Sequence, residues 1–132
     1  MSKRKAIHLP GVGHKAPIPN GARIGDLFFS SAINGKDPET GSYPQDAKDE
    51  IRVAFENMAA LVRHAGGDLS GIGLVTVFLR DRRDRQLVDD CWLAMYPDPD
   101  DRPARHAMDA RADGPMRVQL QVIAVLGGGD LN

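Results

Sequence analysis

The chain has 132 residues, enough for one domain with a sizeable core and too few for two. Apolar and charged fractions of 42% and 27% are those of an ordinary soluble globular protein, which excludes a disordered or membrane-embedded class. A formal net charge of −1 provides no global field towards nucleic acid or an anionic membrane surface.

Proline and glycine dominate the first twenty-odd residues (Pro10, Pro17, Pro19), which are expected to be loop with at most one short edge strand. Residues 26–33, DLFFSSAI, form a predicted buried strand that runs into a dense cluster of turn residues at 34–41. Residues 46–65 carry the clearest helical period. Ala47, Ile51, Ala54, Phe55, Met58, Leu61, Val62 and Ala65 line one face, and Gly66-Gly67 supplies a stop. The run LVTVFL, 74–79, is β-branched and apolar on both faces, as a fully buried strand would be.

A second helix is expected over 84–95, burying Leu87, Val88, Cys91, Trp92 and Met95, until Tyr96-Pro97-Asp98-Pro99 ends it. Two strands, about 104–110 and 116–126, close the chain around Asp113-Gly114-Pro115. The last alternates cleanly, with Met116, Val118, Leu120, Val122 and Ala124 on one face, and Arg105 falls inside its expected partner. Strand, helix, strand, helix, strand, strand implies one α+β domain over 1–132, with two helices on one face of a mixed sheet. The two-sided apolar strands then need a second cover, most economically another copy of the chain.

Few residues offer chemistry. His8, His14, His64 and His106 have no ligand spacing, and one cysteine makes no soft-ligand cluster, so no metal is expected. Cys91 cannot form an internal disulfide, which fits a reducing compartment. The basic start, 1–5, leads into no apolar run, so the default location is the cytoplasm. Ser30-Ser31 lacks a nucleophile elbow. The alternating arginines and aspartates of 80–85 look like a solvated helix start, and Gly127-Gly128-Gly129 lacks the context of a phosphate loop. Arg105 stands apart, because an arginine is expensive in a sheet. It either pairs with an acidic neighbour such as Asp109 or snorkels to water from a strand edge, the readings spacing alone favours, or presents a two-pronged grip to a ligand carboxylate.

The segments LFFSSAINGKDPETG, AFENMAALVRHAGGDLSGIGLVTVFLRD, RPARHAM and MRVQLQVIAV follow one another in an order and spacing that resembles the RidA/YjgF family, also called endoribonuclease L-PSP. The resemblance spans nearly everything from about Ala16, and Pro103-Ala104-Arg105 is its most specific element. It implies a chorismate-mutase-like fold and a homotrimer with three clefts between subunits. The implied activity is cofactor-free hydrolysis of reactive enamines and imines, such as 2-aminoacrylate, to a 2-keto acid and ammonia. By the same resemblance Arg105 binds the substrate carboxylate, the backbone at Ala107 helps hold the ligand, and Ser31 and the adjoining Ala32 belong to the cleft segment.

Departures from the family pattern are equally specific. The usual cleft tyrosine has no counterpart, because Pro19-Asn20-Gly21 runs straight into Ala22-Arg23-Ile24. The SGQIP-like segment reads Ser31-Ala32-Ile33-Asn34-Gly35, and the second-helix asparagine position is Asp89. Gln119 stands where the last strand usually carries a glutamate that handles water. An amide can orient water but cannot take its proton as a carboxylate does. The sequence therefore supports an imine or enamine hydrolase in which Arg105 grips the carboxylate and Gln119 orients water. The alternative is a trimer that binds or senses small carboxylates without turnover. RNA cleavage, a third activity attached to parts of the family, finds no support in the charge balance or the aromatic set.

Overall fold

Asp46 starts the first helix by accepting a hydrogen bond from the Asp49 N–H at 2.8 Å, which satisfies one orphan donor of the opening turn. That helix, α1, runs Ala47–His64 and buries Ile51, Ala54, Phe55, Met58, Leu61 and Val62, the stripe its periodicity predicts. It stops where Gly66 takes φ +105°, a conformation open to glycine and strained for other residues. The second helix, α2 (Arg85–Met95), buries Val88 and Trp92. Tyr96 follows with its ring 5.2 Å from that of Trp92, and its hydroxyl donates to the Leu69 carbonyl at 2.9 Å. The computed structural model describes residues 2–111 and 114–127, so Asp113 of the expected turn and Gly128 and Gly129 lie outside the described residues.

Among the described residues seven strands form one mixed sheet: β1 (Arg4–Ile7), β2 (Gly21–Ile24), β3 (Leu27–Ser30), β4 (Ile33–Asn34), β5 (Ile72–Leu79), β6 (Ala104–Asp109) and β7 (Val118–Val125). The spatial order is β1-β2-β3-β7-β5-β6, with β4 also on β7. Only β5 and β6 run parallel; the other pairs are antiparallel. Both helices lie on one face, over Val75, Val77, Leu120, Val122 and Phe28, each at most 1% exposed. The α+β fold is as the sequence predicts.

Three local expectations change. First, β6 does not partner β7: β5 lies between them, and β6 joins β5 in parallel because α2 supplies the crossover that a parallel pair requires. Second, the strand expected over 26–33 is two strands. Between them the Val122 N–H donates to the Ser30 hydroxyl at 2.9 Å, so a side chain replaces main chain in the ladder and the strand bends away at Ser31. Third, Gly21–Ile24 forms a second N-terminal strand where loop was expected; four residues after a proline-rich run carry too little pattern to betray it.

The face of the sheet away from the helices is apolar and open in the single chain. Leu27, Phe29, Met108, Ile123 and Val125 on it are 38–50% exposed. No helix among the described residues is long and apolar enough to cross a membrane.

Candidate functional site

Strand β6 is the sheet edge, and its register sets Arg105 beside Val75 and Ala107 beside Val77, on the helix side. There the guanidinium meets α2. Arg105 Nη2 donates to Asp89 Oδ1 at 2.6 Å, and the guanidinium carbon lies 5.0 Å from the centre of the Trp92 ring. The ring face is negative and attracts the cation. Asp89 and Trp92 are three residues apart, which puts both on one side of α2. Nη1 of Arg105 is buried and has no hydrogen-bond partner among the described residues. Such a donor costs roughly 1–3 kcal/mol when left unmade.

The expected neighbour, Asp109, is not the partner of Arg105. Arg82 grips it with two hydrogen bonds, at 2.9 and 2.8 Å, and holds its carboxyl below the usual carboxylate range. Arg105 turns instead to Asp89, sixteen residues earlier in the chain. Trp92 was legible only as a core residue. Its spacing from Asp89 carried the further signal, an acid and a ring on one helix face.

Ala107 lines an open cleft of about 530 Å³ beside β6, with Arg82 and Arg85 on its rim. Gln119 lies elsewhere. It pairs with Phe78, and Phe78 with Met108, so it belongs to the open face, opposite the face that carries Arg105. Its amide donates to Met116 Sδ at 3.1 Å. Ser31 and Ala32 sit beyond β3, and β3 and β6 are three strand spacings apart, about 14 Å. The Ser31 hydroxyl donates to the Pro19 carbonyl at 2.8 Å, and Ala32 lines a small cavity of about 40 Å³ against the N-terminal loop. One chain thus brings Arg105, Asp89 and Ala107 to one edge and leaves Gln119, Ser31 and Ala32 apart from them.

The edge cluster sets a guanidinium and a carboxylate side by side, with neither a thiol nor a hydroxyl in their hydrogen bond. Burial, with Asp90 beside it, pushes the Cys91 thiol up, so the nearest sulfur on α2 stays protonated. Among the described residues no three His, Cys, Asp or Glu side chains converge to hold a metal ion.

A family model described as endoribonuclease L-PSP matches residues 15–126. The chain belongs to the RidA/YjgF, or endoribonuclease L-PSP, family. Among its relatives in that family are the putative reactive intermediate deaminase TdcF of Escherichia coli K12 and the 2-iminobutanoate/2-iminopropanoate deaminase of Salmonella typhimurium LT2. The first is 28% identical over 86% of this chain and 89% of TdcF. The second is 29% identical over 83% and 87% of the respective chains. The fold superposes on the crystal structure of E. coli TdcF with bound serine at a TM-score of 0.82, with 27% identity, covering 92% of this chain and 98% of that one. Against RidA from the Antarctic bacterium Psychrobacter sp. PAMC 21119 the TM-score is 0.83 at 25% identity, covering 92% and 99%.

Proposed function

We propose that this RidA/YjgF protein hydrolyses small 2-imino acids and their enamine tautomers, of the 2-aminoacrylate type, in a homotrimer with clefts between subunits. The reaction takes one water and one 2-iminium carboxylate to a 2-keto carboxylate and an ammonium ion. Arg105 grips the carboxylate, the Ala107 backbone lines the same edge, and Gln119 and the Ser31–Ala32 segment reach the cleft from a neighbouring subunit. Gln119 orients the water through its amide. Imine hydrolysis is undemanding by enzymatic standards, and holding water against the C=N carbon provides much of what it needs. The observation that carries this reading is the buried Nη1 of Arg105, a charged donor at a sheet edge without an acceptor among the described residues. The deaminases among the relatives support it.

The test follows deamination of freshly generated 2-iminobutanoate by wild type and Arg105→Ala, with calorimetry of 2-oxobutanoate binding alongside. The expected result is turnover by wild type, with loss of both turnover and binding in Arg105→Ala while the fold is retained. Arg105→Lys rescues poorly, because an ammonium cannot reproduce the guanidinium fork. Equal binding by wild type and Arg105→Ala would remove the clamp. A second reading, a carboxylate-binding trimer without turnover, is favoured by the amide at position 119. Arg105-dependent binding without deamination would decide for it.

A further inference from the structure

An arginine alone accepts any carboxylate, but Arg105 does not stand alone. We propose that Asp89 makes the Arg105 site selective for carboxylates that carry a cationic nitrogen on the adjacent carbon, and selective against the 2-keto acids that hydrolysis leaves behind. The proposal rests on Arg105 being the carboxylate clamp.

The argument starts from charge. Asp89 and Arg105, 2.6 Å apart, sum to no formal charge. A ligand with only a carboxylate is attracted by Arg105 and repelled by Asp89 at nearly the same distance. A ligand that is both anion and cation is attracted by each. Hydrogen-bonding capacity agrees with charge. Asp89 Oδ1 is taken by Arg105, whereas Oδ2 has no hydrogen-bond partner among the described residues, and the side chain keeps 36% of its surface. On the other side, Arg105 Nη1 is a donor in want of an acceptor. An unpaired donor and an unpaired acceptor on touching side chains suit a ligand that carries both a carboxylate and an N–H cation.

The same pair treats substrate and product differently. A 2-iminium nitrogen donates to Asp89, and the 2-keto oxygen that replaces it can only accept. After hydrolysis two acceptors face each other, and the product loses a contact that the substrate had. Asparagine at this position would not discriminate in this way, because its amide can donate to the keto oxygen.

Calorimetry with two stable probes of matched size, L-2-aminobutyrate and 2-oxobutanoate, on wild type, Asp89→Asn and Arg105→Ala tests this. Wild type is expected to prefer aminobutyrate, and Asp89→Asn to shift that ratio roughly tenfold or more towards 2-oxobutanoate, the size of one hydrogen bond to a charged group. A merely structural Asp89 would alter stability, or both affinities together, and leave the ratio in place; an unchanged ratio overturns the proposal while the clamp survives. Binding of either probe that is indifferent to Arg105→Ala, or a wild type that binds neither probe, overturns the clamp and this proposal with it.

Discussion

Glu50 on α1 and Arg117, just before β7, form an ion pair in which one buried carboxylate accepts from both main chain and side chain. Oε2 takes the Arg117 N–H and Oε1 the guanidinium, each at 2.7 Å, and Glu50 is wholly buried. The guanidinium also donates to the carbonyls of Pro44 and Gln45, at 3.3 and 2.9 Å. Gly35 belongs to the same knot, because a Cβ there would overlap the Glu50 carbonyl oxygen. The pair ties the entrance of α1 to the entrance of β7.

Removing one partner of a buried pair strands the other. Arg117→Ala is expected to destabilise the fold by about 3–5 kcal/mol, read by urea unfolding. The contrast is Arg52 with Glu56 on the exposed side of the same helix, where Arg52→Ala should cost less than about 1 kcal/mol. Equal effects would mean that Glu50 gains little from its partner.

Tyr96 sets an alkaline limit. Burial first, then the Asp101 and Asp68 carboxylates, pushes its hydroxyl up to about 12 from 10.0. The folded state therefore holds the proton more tightly than the unfolded one. That contribution is complete below pH 10.0 and is lost as the pH rises towards about 12. Urea unfolding across this range should show wild type losing more stability than Tyr96→Phe. At neutral pH the variant should be weaker by about 1 kcal/mol, for the missing bond to Leu69. Parallel curves for the two proteins would contradict this.

The open apolar face predicts the assembly. Sedimentation at micromolar concentration should find a trimer. Ile123→Lys, which puts a charge between Leu74 and Phe29 on that face, should give monomers with helical content intact. A wild-type monomer would remove the shared cleft along with the trimer.

Gln119→Glu restores a carboxylate where relatives of this kind are expected to handle water. General acid–base catalysis contributes about 10²–10⁴-fold, so a gain of even roughly tenfold, about 1.4 kcal/mol of barrier, is a sensitive readout. The expected outcome is faster hydrolysis of 2-iminobutanoate with slightly weaker carboxylate binding. A folded, ligand-binding variant without gain would favour the binding-protein reading.

Both helices, the two-layer order and the alternation of β7 were legible because burial writes itself into sequence as a period. Strand pairing was not, since nothing in 102–126 says that a strand from forty residues earlier will lie between its two halves. Arg105 was conspicuous, as a charge in a strand always is, but its partner was not, because Asp89 comes near only once α2 packs against β6. Glu50 and Asn57 left a readable trace, polar residues at helical spacing on an apolar stripe. Both are buried, and Asn57 donates to the Asn34 and Lys36 carbonyls at 3.0 and 2.9 Å. The placement of Gln119 relative to Arg105 follows from pleat and register together, which no local pattern contains.

The strand at the centre of the sheet is also the last of the seven in the chain. During synthesis β1, β2 and β3 can form one ribbon and β5, α2 and β6 a second, with α1 packed against α2, but no ladder joins the two ribbons until β7 emerges between β3 and β5. Its contacts reach back about ninety residues, as Ser30 with Val122 illustrates with a separation of 92. Such closures are slow, and meanwhile two apolar strand edges stand unpaired on the nascent chain. A chain cut before Val118 would therefore not be a slightly smaller sheet; it would be two ribbons with no ladder between them.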